Sequence, residues 1–302
     1  MGELTGPDRE RVKALVARAA EADGHVPLSE EARLAATHGR PGSRHLIEHG
    51  AAGAVLGYAY VSAPESGDEQ GGRSCELVIA PEARGAGLGT LLARDALAAG
   101  ATRFWAHGAH PGARRVAAKL GLVEARELRL LELTGWTPSA LSPKPPAGVS
   151  LRSFRPGDDD TKWLALNAAA FAHHPEQGQW RLGDLHERML EDWFDPTGFF
   201  LAERAAAGGG PRELIGFHWT KTHPAGAYAQ EAVGEVYVLG VSPTAQGLGL
   251  GRVLLETGLG YLSTRGFRTV ILYVDGDNAA AVRLYENAGF RTRSVDLEYR
   301  VR

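Results

Sequence analysis

The sequence has little cysteine, no long apolar run and no excess of basic charge. Cys75 is the only cysteine among 302 residues, so an internal disulfide is excluded and a reducing, cytoplasmic location is expected. No stretch approaches the roughly 20 apolar residues of a membrane helix, and the opening MGELTGPDRE predicts no secretory signal. The formal net charge of −3 gives no footprint for nucleic acid or a membrane surface. The 11 histidines show no H-E-x-x-H spacing, so no metal is expected.

Proline and glycine instead mark a domain boundary. The stretch TGWTPSALSPKPPAG, residues 134–148, contains four prolines, which oppose both helix and sheet. A chain of this length is expected to hold two domains of about 150 residues each. We therefore predict an N-terminal domain at residues 1–135, a linker at 136–148 and a C-terminal domain at 149–302.

The two halves repeat one another. Placing Pro81 opposite Pro243 aligns ELVIAPEARGAGLGTLL with VYVLGVSPTAQGLGLGRVLL, glycine for glycine. Further along, AHPGARRVAAKLGL aligns without gaps with DNAAAVRLYENAGF. A repeat of this length indicates duplication of a whole domain rather than a solenoid period.

Each copy predicts the same order of elements. An N-terminal helical region, at residues 8–22 and 161–171, leads into strands, a glycine-rich turn, a helix, a strand, a short helix and a last strand. In the second copy, residues 234–241 are rich in Val and Tyr, which is typical of a strand. Residues 250, 253, 254 and 261 are apolar at helical spacing. The predicted fold class is α/β, a mixed (α+β) sheet with helices on its faces, present twice.

A glycine-rich turn between strand and helix suits a phosphate ligand. Its backbone N–H groups converge, and the helix N-terminus adds positive potential. The second turn, QGLGLG, lacks the G-x-G-x-x-G spacing of dinucleotide sites, and no Gly-Lys-Ser/Thr of a P-loop is present. A single copy also fits a plain strand-to-helix turn, but two copies favour a binding function.

The pattern Gln-x-x-Gly-x-Gly, followed by DNAAAVRLYENAGF, resembles the CoA-binding region of GCN5-related acetyltransferases. The resemblance implies acetyl-CoA as co-substrate and two tandem domains of that fold. In the second copy it assigns the acetyl-CoA contacts to Leu239, Gly240, Val241, Gln246, Gly247, Leu248, Gly249, Leu250, Gly251, Arg252, Asn278, Ala279, Ala280, Ala281, Val282 and Arg283. In the first copy it assigns them to Leu77, Val78, Ile79, Arg84, Gly85, Ala86, Gly87, Leu88, Gly89 and Thr90. Asn278 also suits a helix N-cap, and Tyr285 also suits ordinary core packing.

A closer resemblance covers nearly the whole chain. The segments HPEQG, WTKTHP, LYVDGDNAAAV and SVDLEYRV, with the tandem domains, resemble the mycothiol synthase family. Its members acetylate the cysteinyl amine of cysteinyl-glucosaminyl-inositol, a small-molecule acceptor. The resemblance implies acceptor contacts at Glu30, Glu176, Lys221, Glu235 and Tyr273. The longer loop AGAYAQEAVGE, after Pro224, departs from the family pattern next to Lys221.

The resemblance also implies catalytic roles for Glu235 and Tyr285. An amine attacks a thioester only when it is neutral, and its pKa of about 8 calls for a base. Glu235 is the expected base, unless it only solubilises the strand, and Tyr285 is the expected acid for the departing thiolate. The aligned positions in the first copy are Arg73 and Ala117, so that copy is predicted to be catalytically silent.

Asp158, Asp159 and Asp160 are expected in a solvated turn.

Other functions stay open at this stage. The acceptor could be a peptide N-terminus, a polyamine or an aminoglycoside, or the chain could bind acetyl-CoA without catalysis. The presence of both Glu235 and Tyr285 argues against a non-catalytic second copy. The sequence does not decide the oligomeric state, for which a monomer is the simplest assumption.

Overall fold

The computed structural model describes residues 4–64, 72–136, 144–172, 177–205, 210, 212–226, 228 and 230–302. The chain forms two compact units. Unit 1 comprises Met1–Arg129, Asp275–Asp277 and Arg293–Arg302, and unit 2 comprises Leu130–Val274 and Asn278–Thr292. The last ten residues are thus grouped with unit 1, whereas the predicted domains place them in the second. Residues 137–143 of the predicted linker lie outside the described residues.

Unit 1 is a mixed sheet with helices. Its strand order is β1-β2-β3-β4-β11, in which β3 and β4 are parallel and the other neighbours are antiparallel. In chain order its elements are α1 (Gly6–Asp23), α2 (Glu30–His38), β1 (Arg44–His49), β2 (Val55–Val61), β3 (Arg73–Ile79), α3 (Leu88–Ala98), β4 (Ala101–Ala106), α4 (Pro111–Leu120), the first part of β5 (Val123–Leu133) and most of β11 (Arg291–Arg300).

Unit 2 repeats this plan with an added edge strand, β6, ahead of its first helix. Its strands run in the order β6-β7-β8-β9-β10, antiparallel except for the parallel pair β9 and β10. Its elements are β6 (Val149–Ser153), α5 (Asp160–Ala170), α6 (Leu182–Met189), β7 (Phe199–Arg204), β8 (Glu213–His223), β9 (Val233–Val241), α7 (Leu250–Thr264), β10 (Val270–Asp275) and α8 (Ala279–Asn287). The predicted fold class, a mixed sheet with helices in both copies, is confirmed.

Equivalent residues of the repeat occupy equivalent positions at the helix ends. Asn278 caps α8 by accepting from the Ala281 N–H, and the aligned His110 caps α4 by accepting from the Gly112 N–H. Gly289 follows α8 with a φ of +99°, in the left-handed region that a helix C-terminus favours. The helix start predicted at Asn278 is therefore confirmed, and the alignment of the copies holds at the level of single caps.

The apolar pattern of each helix faces its own sheet. Val12, Leu15 and Ala19 of α1 are buried, and they recur at the three- and four-residue spacing of one helix face. In unit 2, α7 buries seven residues, among them Leu250 and Leu254. Among the described residues, no helix is both long and apolar enough to cross a membrane.

One expectation about the loops was wrong. Asp158 is exposed, but Asp159 and Asp160 are only 2% and 5% exposed. Asp159 forms a two-point ion pair with Arg152, at 2.6 and 2.7 Å, and Asp160 accepts a hydrogen bond from His186 at 2.8 Å. The three aspartates alone predict a solvated turn, because the partners of Asp159 and Asp160 lie on other elements, Arg152 on β6 and His186 on α6.

Candidate active site

The two glycine-rich turns have the backbone geometry of an anion cradle. Gly249 is the N-cap of α7 with φ +74°, and Gly247 has φ +80°. The aligned Gly87 and Gly85 have φ +93° and +80°. No described side chain caps α3 or α7, so the N–H groups of each first turn are left for a ligand. This arrangement fits the pyrophosphate of CoA.

Strand β9 parts from its parallel neighbour before the chain reaches the turn. Its ladder with β10 has two pairs, Gly234 with Val270 and Glu235 with Ile271. β9 then continues to Val241 while paired to β8 alone. Backbone groups that face β10 beyond Glu235, from Val236 to Val241, therefore lack strand partners within this ladder. The gap gives an extended ligand a row of backbone groups to pair with.

A β-bulge follows Glu235 on the same strand. Trp219 pairs with Val238 and Thr220 pairs with Val236, which leaves Tyr237 as the extra residue. A bulge bends its strand and changes the direction of the flanking side chains, and bulges are frequent beside active sites. The aligned pair β2 and β3 in unit 1 keeps a regular register from Gly57 to Val61.

Glu235 is buried and bonded to one histidine. It is 7% exposed, so it is not a solubilising surface residue. The Oε2 atom lies 2.5 Å from Nε2 of His223, the last residue of β8. The ring of Tyr228 packs edge-on against His223 with centroids 4.6 Å apart. Glu235 thus lies where the β9–β10 ladder ends, beside the bulge, in a restrained position.

Lys221 lies opposite Glu235 in the β8–β9 register but points its charge at aromatic rings. Its Nζ lies 4.8 Å from the ring centre of Trp193 and 5.1 Å from that of Tyr237, within the range of cation–π attraction. Tyr273 on β10 is 40% exposed, with its hydroxyl 3.5 Å from that of Tyr228. Three predicted acceptor contacts, at Lys221, Glu235 and Tyr273, therefore lie on neighbouring strands of unit 2.

Several other predicted residues of the second copy lie on α7, on α8 and in the turn before α7. Tyr285 is 7% exposed in a cluster with Phe290, and burial raises its pKa. The side chains of Leu250 and Val282 are in the core, so only their backbone could contact a ligand. Leu248 at the tip of the turn is half-exposed. The Oδ1 atom of Asn278 is used by the cap of α8.

Unit 1 contains a pocket of about 330 Å³ at its own glycine turn. The predicted contacts of the first copy line this pocket, apart from Ala86. They are Leu77, Val78, Ile79, Arg84, Gly85, Gly87, Leu88, Gly89 and Thr90. The guanidinium of Arg84 forms a two-point pair with Asp23 at 2.7 and 2.8 Å. That pair lowers the pKa of Asp23 and holds the turn against α1.

The residues of unit 1 that align with the expected catalytic pair, Arg73 and Ala117, have structural contacts instead. The Arg73 guanidinium donates to the carbonyl oxygens of Gly42 and Ser62, each at 2.7 Å. Ala117 is buried in the core. The β3–β4 ladder instead ends at Glu76, which is paired with Trp105.

Glu76 is enclosed in a hydrogen-bond cluster. It accepts from the N–H and the hydroxyl of Ser29, at 2.6 and 2.7 Å, and lies 3.1 Å from Nε2 of His107. The other ring nitrogen of His107 lies 2.9 Å from Asp296. We call these four residues the Glu76 cluster.

Of the two other predicted acceptor contacts, one is placed in unit 1 and one is not described. Glu30 is the first residue of α2 in unit 1. Glu176 lies outside the described residues.

The sequence profile of the acetyltransferase (GNAT) family matches residues 11–122 and 164–290. The chain belongs to the acetyltransferase (GNAT) family. The two matched segments correspond to the two copies of the repeat, and acetyl-CoA is the family's co-substrate, as predicted. The chain is thus an acetyl-CoA-dependent N-acetyltransferase with two GNAT domains.

Curated relatives match along almost the whole chain. The mycothiol acetyltransferase of Streptomyces bingchenggensis is 48% identical over 99% of this chain and 95% of its own. That of Thermobispora bispora is 48% identical over 98% of this chain and 97% of its own. The resemblance to the mycothiol synthase family is therefore confirmed.

Solved structures share the fold. A GCN5-related N-acetyltransferase from Sphaerobacter thermophilus has a TM-score of 0.77 at 22% identity, covering 99% of this chain and 94% of its own. A tandem GNAT protein from the clavulanic acid biosynthesis pathway has a TM-score of 0.68 at 18% identity, covering 100% and 96%. At these identities the likeness concerns the fold alone.

Sequence reasoning missed four residues around Glu235. His223 and Tyr228 restrain Glu235, and Trp193 and Tyr237 hold Lys221. One signal was available: Lys221 and His223 are two apart on one strand, so they share the face that carries Glu235. Trp193 gave no such signal, because it comes from a loop far away in the sequence.

Proposed function

We propose that unit 2 transfers the acetyl group of acetyl-CoA to the cysteinyl amine of cysteinyl-glucosaminyl-inositol, which yields mycothiol and CoA. Membership of the GNAT family and the near full-length relatives named mycothiol acetyltransferase support this function. The structural observation that carries it is the buried Glu235 at the end of the β9–β10 ladder, just before the bulge on the strand that leads to the glycine turn.

Glu235 is the general base in this proposal. It takes a proton from the acceptor amine, directly or through a water, as the nitrogen bonds to the acetyl carbon. The carbon–sulfur bond breaks, and the CoA thiolate receives the proton of the Tyr285 hydroxyl. Burial raises the pKa of Tyr285, so this hydroxyl holds its proton until the thiolate forms. Glu235 then releases its proton to solvent, the Tyr285 phenolate takes one up from solvent, and no covalent acyl-enzyme forms.

Strand β9 supplies the remaining assistance. Negative charge develops on the thioester oxygen as the amine attacks, and backbone N–H groups are suitable donors for it. The donors proposed here are those of Leu239, Gly240 and Val241, on the stretch of β9 that has separated from β10. The N–H groups of the turn at 246–252 hold the pyrophosphate.

Unit 1 binds acetyl-CoA without turning it over in this proposal. Its glycine turn has the same φ angles and borders a pocket of about 330 Å³. Arg73 and Ala117 stand where the base and acid would be. The carboxylate of Glu76 already accepts hydrogen bonds from Ser29 and His107. The functional domains are accordingly residues 1–135, silent, and 149–302, catalytic.

The polar acceptor is recognised by side chains that converge near Glu235. Lys221, Glu235 and Tyr273 belong to unit 2, and we propose Glu176 and Glu30 as further contacts. Such contacts discriminate strongly, because an acceptor without the sugar hydroxyls leaves buried polar groups unpaired. We also propose a monomeric enzyme of the cytoplasm, in keeping with the single, buried Cys75.

The test is a competition between acceptors. The cysteinyl pseudodisaccharide, free cysteine, spermidine and a short peptide are supplied separately at equal concentration with acetyl-CoA, and products are identified by mass spectrometry. The pseudodisaccharide should have the highest kcat/KM. A higher value for spermidine or the peptide would contradict the acceptor but leave the acetyltransferase activity standing.

A further inference from the structure

The hydrogen bond between His223 and Glu235 has no part in the mechanism above. Its two side chains are 10% and 9% exposed, and they belong to adjacent strands. The Oε2 atom of Glu235 lies 2.5 Å from His223 Nε2. The Oε1 atom has no hydrogen-bond partner within the described part of the chain. One carboxylate oxygen is therefore held and the other is left for a ligand.

His223 and not Lys221 holds Glu235, although the strand register places the lysine opposite the glutamate. Lys221 is directly opposite Glu235, and His223 is opposite Val233. Opposite residues of an antiparallel pair share a face, so an ion pair between Lys221 and Glu235 would be the simple outcome. Instead the ammonium lies over Trp193 and Tyr237, and the diagonal neighbour His223 takes the carboxylate.

The ring of His223 is itself restrained. It ends β8, and Tyr228 from the following loop packs against it at an interplanar angle of 62°. A buried carboxylate with one fixed oxygen loses its rotational freedom before the acceptor arrives. Pre-orientation of this kind is worth much in catalysis, since a misplacement of about 1 Å can cost a hundredfold in rate.

We infer that His223 is a positioning residue that holds Glu235 Oε2 so that Oε1 meets the acceptor amine. This inference rests on the proposed role of Glu235 as base. It predicts a loss in kcat rather than in acetyl-CoA binding, because His223 contacts the base and not the glycine turn. It also predicts that an N–H donor of similar reach replaces the histidine in part.

The experiment measures kcat, both KM values and acetyl-CoA affinity for H223A, H223Q, E235Q and the double variant H223A/E235Q. H186A is the matched control, since it removes another histidine–carboxylate bond of unit 2, that with Asp160. We expect H223A to lose about tenfold to a hundredfold in kcat, with the acetyl-CoA Kd unchanged. H223Q should recover most of the loss. H186A should keep wild-type kcat, and the double variant should be no slower than E235Q alone.

The outcomes separate the two claims. If E235Q keeps wild-type kcat, Glu235 is not the base and the proposed function fails at that residue. If E235Q is impaired while H223A is within twofold of wild type, only the role of His223 is overturned. The inference is equally overturned if H223A slows E235Q further by its full single-variant factor, because the histidine would then act independently of the carboxylate.

Discussion

Replacement of His107 should change both the stability of unit 1 and its pH dependence. The ring lies within hydrogen-bond distance of Asp296 through Nδ1 and of Glu76 through Nε2, so both nitrogens donate and the ring is an imidazolium. Burial alone would lower the pKa of His107, but the hydrogen bonds and charges of Asp296 and Glu76 raise it to about 10. Burial opposes the ionisation of Glu76, yet the bonds from His107 and Ser29 lower its pKa.

The size of this stabilisation follows from the raised pKa of His107, which keeps its ring protonated in the native state. The ordinary pKa of histidine is 6.5, so His107 contributes its full stabilisation below that pH and loses it as the pH rises towards 10. The unfolding free energy should fall by up to about 1.4 kcal/mol for each pH unit in this window, about 5 kcal/mol in all. Removing one partner of a buried ion pair costs about 3–5 kcal/mol, which agrees. H107Q should therefore lose about this amount near pH 6.

The acid side has the opposite sign. The wild-type protein should lose stability as the pH falls below 4.5, the ordinary pKa of a glutamate such as Glu76. The native state holds this carboxyl ionised at a lower pH than the unfolded state does, so its protonation favours unfolding. In H107Q, two carboxylates remain without their counter-ion, and protonation relieves their repulsion. The stability difference between wild type and H107Q should thus narrow at both ends of the range.

The assay is urea unfolding followed by circular dichroism from pH 4 to pH 9, with peptide-level hydrogen exchange at pH 7 to locate the change. H49Q is the control, since His49 is an exposed histidine on β1 of the same sheet. Exchange should rise in β3, β4 and β11 and stay unchanged in β7. If H107Q matched wild type in unfolding free energy across the range, the cluster would not be a charged, stabilising unit.

Three further outcomes are expected in unit 2. G249V should weaken CoA binding at least tenfold by calorimetry, because a β-branched residue cannot adopt the φ of +74° that forms the cradle; unchanged affinity would contradict the cradle. W193L should raise the acceptor KM more than the acetyl-CoA KM, because the Lys221 ammonium loses an aromatic partner; equal effects would contradict this. G258A should destabilise the protein by about 1–3 kcal/mol in urea unfolding, because a Cβ there would lie 2.0 Å from the buried His218 ring; wild-type stability would refute that packing.

The repeat and its turns could be predicted because their requirements are local. Positive φ at Gly247 and Gly249 demands glycine at those positions, and the caps at His110 and Asn278 act on the next helical turn. Such features survive in the sequence as short patterns. The order of most elements in each copy followed from them, together with apolar periodicity, although β6 and α6 were not predicted.

What could not be predicted depends on pairing between distant segments. The grouping of residues 293–302 with unit 1 reflects the pairing of β11 with β4, and strand periodicity does not specify a partner. The bulge at Tyr237 arises from the register of β8 against β9, which neither strand encodes alone. The burial of Asp159 needs Arg152 and Glu203 to be brought together by β6 and β7.

The residue at which the parallel ladder ends has different hydrogen-bond partners in the two copies. That residue is a glutamate in both, Glu76 and Glu235, and each is bonded to a histidine. Glu76 accepts three hydrogen bonds, and its histidine is fixed by a second carboxylate, so neither of its oxygens is left to receive a proton from a ligand. Glu235 has His223 alone among the described residues, and one oxygen stays available. A carboxylate serves as a base only while a lone pair can reach the substrate. The number of partners at this one position therefore supports the proposal that the first copy is silent and the second catalytic, although both are built on the same duplicated fold.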